Sequence, residues 1–338
     1  MEAKRISVII PTHNSERHLS ECLDSVFQQV DSNDEVVIID DASTDNTLSV
    51  CNSYLNQYPN IIRIIRKNKQ TGPSDSRNIG KECALGSFVC FIDSDDWLAS
   101  SALMEMYLFA TDNDCDVVQT AFYYAFDDYL LLDKRMQKIY QHSMVISKEQ
   151  AMTYLINNNI IYNFVWGKLY KSEIVKKYKF PSGISMGEDL YWQHKVIHET
   201  NRVGILPIPL YYYRQNSHSI SNIFSERHIT LLYALEDRLS FINKFYPHLV
   251  PDILYVLWKQ SYQSWKFAKI NGTSECERLF YDYWVKLNEK YHYEFDRNIN
   301  KKTDYFLYSQ SITFLNLYYL IKRLLGRFVP NYIKIPVK

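Results

Sequence analysis

The chain has 338 residues, 38 Lys and Arg against 38 Asp and Glu, and a formal net charge of zero. With no overall positive field, nucleic acid is excluded as a partner, and any phosphate the chain binds must be handled locally. A hydrophobic content of 46% and a charged content of 22% describe a globular chain with a sizeable core and exclude a disordered one.

The first residues, "MEAKRISVIIPTHN", hold an apolar run of only four residues before Pro11, too short for a secretory leader. From there to about residue 125 two periods alternate. "RISVII" (5–10), "EVVIID" (35–40), "IIRIIRK" (61–67), "FVCFID" (88–93) and "DVVQTAFY" (116–123) read as buried strands, with helical segments at 15–30, 44–58, 74–85 and 98–111. In the first of these, Leu19, Cys22, Leu23, Val26, Phe27 and Val30 recur at steps of three and four. This βαβα order predicts an α/β fold with a mostly parallel sheet and helices on both faces, whose ligands bind beyond the carboxyl ends of the strands.

Those ends are polar. Pro11-Thr12-His13-Asn14 follows the first strand, Asp40-Asp41 the second, and Asp93-Ser94-Asp95-Asp96 the fourth. Carboxylates gathered on one rim need a common partner. Asp93 and Asp95, two residues apart, suit one hard cation; with no His or Cys cluster this favours Mg²⁺ or Mn²⁺ over zinc, and the remaining ligands point to a nucleoside diphosphate. Asp96 reads equally as a ligand or as the cap of a helix opening at Trp97. After Asp40-Asp41, Ser43 or Thr44 reads as the cap of the next helix, with Asp45 and Asn46 favourable near its dipole. At the same time a carboxylate on this rim can accept a hydrogen bond from a uracil ring or a ribose.

Residues 126–225 are irregular and aromatic, and 226–338 turn helical, with Trp258, Trp265 and Trp284 among Leu and Tyr. This Tyr-rich region either supports a homodimer or completes the fold. The tail combines an apolar run (312–321) with Lys322, Arg323, Arg327, Lys334 and Lys338, and reads either as a peripheral contact with an anionic membrane or as a closing helix. No run reaches the roughly 18 apolar residues of a membrane span. Six cysteines without CxxC spacing read as buried free thiols, so a cytoplasmic location is expected.

"SVIIPTHNSERHLSECLDSV", "VVIIDDASTDNT", "GPSDSRNIG", "FVCFIDSDDWL" and "GEDLYW", in this order, resemble the family 2 inverting glycosyltransferases of bacterial surface polysaccharides. The match covers roughly residues 4 to 221. It implies the GT-A fold, with a nucleotide-sugar half (1–125), an acceptor half (126–225) and a helical C-terminal region. It also implies a UDP-sugar donor, a divalent metal, and a saccharide or lipid-linked acceptor. By position, Pro11 and Thr12 line the base pocket and Asp41 or Asp40 meets uracil or ribose. Arg77 braces the nucleotide loop, Asp93 lies near the ribose and Asp95 on the metal, with Asn14 and Ser94 among the donor contacts. His13 departs from the family, which more often has an aromatic residue there.

The resemblance makes Asp189 the base that takes the acceptor hydroxyl's proton in one in-line displacement, with Glu188 orienting its neighbours. Arg214 or His218 in "YYYRQNSHSIS" is implied as a mobile cationic partner of the diphosphate. Trp166, Lys168 and Trp192 are implied as an acceptor wall, core packing being the other reading of Trp166. Two rivals are a nucleotidyltransferase, whose Gly-rich loop "PTHNSERHL" lacks, and a non-catalytic sugar-nucleotide sensor.

Overall fold

The computed structural model describes residues 4–133, 142–157, 159–184, 186–215, 224–299 and 332–337, together with 302, 303, 305, 306 and 313. Strands β1 (Lys4–Thr12), β2 (Glu35–Asp40) and β3 (Ile62–Arg66) alternate with helices α1 (Leu19–Phe27), α2 (Thr47–Gln57) and α3 (Pro73–Cys83). β4 (Gly86–Phe91), β5 (Trp97–Leu98), α4 (Ala102–Asp112), β6 (Val117–Ala125) and β7 (Tyr129–Asp133) follow. Next come β8 (Met144–Ser147), α5 (Lys148–Asn157), β9 (Lys168–Lys171), the single turn α6 (Ser172–Val175), α7 (Glu188–Glu199) and β10 (Arg202–Arg214). Helices α8 (Ile229–Phe245), α9 (Val250–Asn271) and α10 (Ser274–Ile299, kinked at Tyr291) form the C-terminal region, and β11 (Tyr332–Pro336) returns to the sheet.

All these strands join one sheet, ordered β11-β7-β6-β9-β4-β1-β2-β3, with β10 beside β6. β1 to β4 are mutually parallel, as the alternating pattern predicts. The second half is mixed, because β9 lies antiparallel between β4 and β6. A four-residue strand that enters from a long excursion has no sequence period of its own to announce it.

The parallel strands are apolar along their length because both faces are covered. On β1, Ile6, Val8 and Ile10 enter a core with α1, α2 and α4, whereas Ile9 enters a second core that runs through α5, α7, α8 and α9. β4 divides the same way: Phe88, Cys90 and Ile92 to the first, Val89 and Phe91 to the second. Five of the six thiols are buried and free, and Cys83 is half-buried.

No helix among the described residues is long and apolar enough to cross a membrane. Most of the basic, apolar tail lies outside the described residues, but Lys334 is on β11, its ammonium 3.8 Å from the centre of the Tyr129 ring. This lysine is therefore engaged at the sheet edge.

Helix α3 approaches β1 closely at Gly80, where a Cβ would lie 2.4 Å from Ile9 Cγ2. Ile9 is fully buried and has little room to move. Gly80→Ala is therefore expected to cost about 1–3 kcal/mol through overpacking. Urea unfolding measures it; a loss under about 0.5 kcal/mol would contradict this close approach.

Candidate active site

The carboxyl ends of β1, β2 and β4 open onto a cleft of about 440 Å³, with Glu188 at the start of α7 and Tyr213 on β10 closing its far side. Pro11, Thr12, Asp41, Arg77, Asp93, Ser94, Asp95 and Glu188 all line it. The structure thus brings together residues from the separate motifs of the first 96 positions and the acidic turn at 188.

At the end of β2 the two aspartates separate in role. Asp40 is fully buried, accepting the Ser43 N–H at 3.3 Å and lying 3.4 Å from Arg66 Nε. Asp41 faces the cleft, accepts the N–H groups of Thr71 (2.9 Å) and Gly72 (2.7 Å), and pairs with Lys67 at 2.5 Å. Gly72 takes φ +92°, a conformation that residues with a Cβ rarely adopt, so the loop can turn both amides toward this carboxylate. The following helix begins at Thr47, and Asp45 accepts its N–H, so neither Ser43 nor Thr44 is the cap.

Arg77 holds the centre. Its Nη2 donates to Asp93 Oδ1 at 2.8 Å and its Nη1 to Glu188 Oε1 at 2.8 Å, while Asp189 Oδ1 lies 3.7 Å from Nη1. The guanidinium is buried, and its three carboxylate neighbours outweigh the desolvation cost and keep it charged. Gly187, at φ +83° and packed against Leu231, turns the chain so that Glu188 and Asp189 open α7, where the helix dipole favours negative charge. Asp189 is nonetheless raised well above the usual aspartate range, by burial first and by Glu188 second. Its Oδ1 is buried and accepts no hydrogen bond, and of the acidic pair only Glu188 lines the cleft.

Asp95 is pushed up to about 6 by burial and by Asp93. Among the described residues no three His, Cys, Asp or Glu side chains converge into a metal cage. The pair Asp93 and Asp95 still fits a hard divalent cation that takes its other ligands from a diphosphate, because both donors are carboxylate oxygens and neither has a full counter-charge of its own.

Several expected placements are corrected. Asp96 neither caps a helix nor faces a cation: its oxygens accept the Tyr211 hydroxyl (2.6 Å) and the Arg214 N–H (2.8 Å), and the helix begins only at Ala102. Arg214 is pinned, with Nε on the Asp95 carbonyl at 2.7 Å, Nη2 on Glu21, and the guanidinium carbon 4.5 Å from the centre of the Trp97 ring. It is therefore not a mobile partner for a diphosphate. His218 lies outside the described residues. Asn14 does not line the cleft. It takes a left-handed φ of +48° and ties the loops after β1 and β2 together, its Oδ1 accepting the Thr44 N–H at 2.9 Å.

The expected acceptor wall is interior. Trp192 is fully buried, stacked on Phe180 at 4.3 Å with its indole N–H on the Tyr178 carbonyl. Trp166 is sandwiched between Phe164 and Tyr211 at 4.4 and 4.5 Å, which is the core-packing alternative. Lys168 is buried with its ammonium on the Phe164 carbonyl; desolvation pushes it down to about 7, and the nearby Asp189 charge partly offsets this. Sequence reasoning passed over Tyr213 and treated His13 only as a departure from the family. His13 lines the cleft and donates from Nδ1 to the Asp41 carbonyl at 2.8 Å. Its place directly after β1 on the rim is the signal that could have found it.

Arg77→Met leaves three carboxylates without their cation and is expected to cost about 3–5 kcal/mol at pH 8. The loss should shrink toward pH 5, because carboxyls raised in the folded variant take up protons on folding and regain stability as pH falls. Urea titrations at the two pH values check this; an equal loss at both would refute the shared-cation arrangement. In the wild type, the raised Asp189 makes stability decline with rising pH from the ordinary aspartate range up to its own folded value. Asp189→Asn should flatten that decline, read as the melting temperature against pH.

A family profile described as "Glycosyl transferase family 2" matches residues 7–179. Among characterised relatives, glycosyltransferase GlyA of Streptococcus pneumoniae serotype 4 is 30% identical over 252 residues, 72% of this chain and 35% of that protein. Poly(ribitol-phosphate) beta-N-acetylglucosaminyltransferase TarS of Staphylococcus aureus is 30% identical over 224 residues, 64% of this chain and 37% of that one. The chain thus spans about a third of the length of these relatives. The crystal structure of S. aureus TarS 1–349 with UDP-GlcNAc superposes with a TM-score of 0.58 at 19% identity, covering 86% of this chain and 92% of that one. With the profile spanning half of its length and the sheet laid out as above, the chain belongs to glycosyltransferase family 2 and has the GT-A fold.

Proposed function

We propose that this chain transfers a sugar from a UDP-sugar to a hydroxyl of a saccharide or lipid-linked saccharide, with inversion, in the synthesis of a surface polymer. The observation that carries the reading is that one buried arginine ties Asp93 to the Glu188–Asp189 turn, with Asp93 and Glu188 both lining the cleft and Asp189 directly behind Glu188. The TarS structures with UDP and with UDP-GlcNAc support a uridine donor. A poly(ribitol-phosphate) beta-glucosyltransferase of Bacillus spizizenii, 29% identical over 213 residues, supports a surface polymer as acceptor.

In this reading Pro11, Thr12, His13 and Asp41 hold the base and ribose, and Asp93 and Asp95 hold Mn²⁺ or Mg²⁺. A divalent cation there would supply charge neutralisation for the departing diphosphate. Manganese in the structure of a Pyrobaculum calidifontis mannosyltransferase with GDP-Man supports the metal. Arg77 fixes the acidic turn relative to the donor, and Asp189 takes the proton of the attacking hydroxyl. A carboxylate raised by burial is a stronger base than a solvated one, and it works only above its own pKa.

The test is UDP release from a panel of UDP-sugars with Mn²⁺, Mg²⁺ or EDTA. Metal-dependent release from one donor, lost in Asp95→Ala, is the expected result; neither UDP binding nor release in any condition would refute it. Asp189→Asn is expected to lower kcat by about 10²–10⁴-fold with UDP affinity retained. The kcat/KM of the wild type should fall as pH drops through the raised Asp189 value, well above the usual carboxylate range.

A further inference from the structure

A second cavity, of about 420 Å³, lies between α8 and α9, and nothing in the donor chemistry uses it. It is within the size range of ligand sites, about 300–1,000 Å³. One wall is aromatic: Phe224 and Phe267, with ring centres 5.0 Å apart and planes inclined at 55°. The Phe267 side chain is 49% exposed, unusual for a phenyl ring on a helix of the second core. The other wall is polar, with Gln260, Gln263 and Ser264 on successive turns of α9; Gln260 Nε2 lies 3.4 Å from Ser264 Oγ. Among the described residues no Asp, Glu, Lys or Arg lines it, and His228 is its one titratable group.

The cavity is also next to the transfer site. Leu231 lines it and packs against Gly187, so closely that a methyl group there would come within 2.7 Å of Leu231 Cδ2. The adjacent Thr230 donates from its hydroxyl to the Met186 carbonyl at 2.6 Å. Met186 and Glu188, on either side of Gly187, line the donor cleft. One layer of residues, the turn that presents the candidate base, therefore separates the two spaces.

We infer that this cavity holds a neutral, hydroxyl-rich sugar unit of the acceptor, at some remove from the hydroxyl that reacts. The role as an acceptor subsite rests on the proposed transferase reading. A flat apolar wall takes the C–H face of a sugar ring, and amides and a hydroxyl opposite satisfy its hydroxyl groups. With no Lys or Arg among the described lining residues, a polyol phosphate would find only His228 as a partner for its charges, which argues against it.

Saturation-transfer NMR with maltohexaose, cellohexaose, laminarihexaose and a ribitol-phosphate hexamer tests the inference, on wild type and on Phe267→Ala/Gln263→Ala. Both side chains are exposed, so the double variant should fold, and its melting temperature is recorded. Transfer to at least one neutral hexamer, with affinity falling about tenfold or more in the variant, is expected. No transfer to a neutral hexamer, transfer that survives the double substitution, or transfer to the ribitol phosphate alone would overturn it. A lowered melting temperature without saccharide binding would make the space a packing seam and overturn it as well. Calorimetry with UDP on the same samples should give equal affinity for wild type and variant. Wild type that binds a neutral hexamer but not UDP would refute the donor reading and uphold the cavity as a sugar site.

Discussion

One guanidinium organises the site. Asp93, Glu188 and Asp189 come from segments about 95 residues apart, and without a cation among them their charges would drive those segments apart. Arg77 can serve all three because its planar fork offers several donors in fixed directions, and because it keeps its charge under burial where a lysine would not. Lys168 shows the contrast: a buried ammonium nearby, held by a single carbonyl, is pushed down toward neutrality. The arginine's own position depends on packing, since Gly80, one turn further along α3, lets the helix lie directly on Ile9 of β1.

The sheet decides what faces the cleft and what does not. Its parallel block delivers three strand ends to one rim, and β10 runs past the same rim. Tyr213 turns toward the cleft, and its neighbours Tyr211 and Arg214 lock onto Asp96 and the Asp95 carbonyl. The loop that carries the paired aspartates is thereby braced from behind by a strand some 115 residues later. Such bracing keeps two mutually repelling carboxylates close together before any ligand arrives.

Much of this was legible in the amino-acid order. Buried parallel strands read as unbroken apolar runs, and the rule that ligands gather at their carboxyl ends points to Asp40-Asp41, Asp93 and Asp95, without separating the buried Asp40 from the cleft-facing Asp41. What could not be read was burial of amphipathic side chains and contact at long separation. Trp192 and Lys168 combine apolar bulk with a polar end, so their types fit either a sugar wall or a satisfied interior position. The spacing of Trp192, Val196 and Ile197 at i, i+4 and i+5 on α7 does mark a core-facing stripe, and it fits the interior place of Trp192. Nothing in the local pattern links Arg77 to Glu188, 111 residues away. Nor did it show that Arg214 would be held by Glu21 rather than left to swing.

Strand β11 has a consequence for how the protein is made. Tyr332–Pro336 pairs antiparallel with β7, so the partner that covers residues 129–133 is synthesised about 200 residues later. Throughout that interval on the ribosome, β7 presents unpaired amides and carbonyls around "YLLLD", an apolar stretch able to recruit a strand from another nascent chain. Closure by so distant a segment is also slow, because the intervening loop must lose its freedom before the pairing is gained. Until β11 is made, the outer edge of β7 is thus the place on this sheet where a nascent chain is exposed to mispairing.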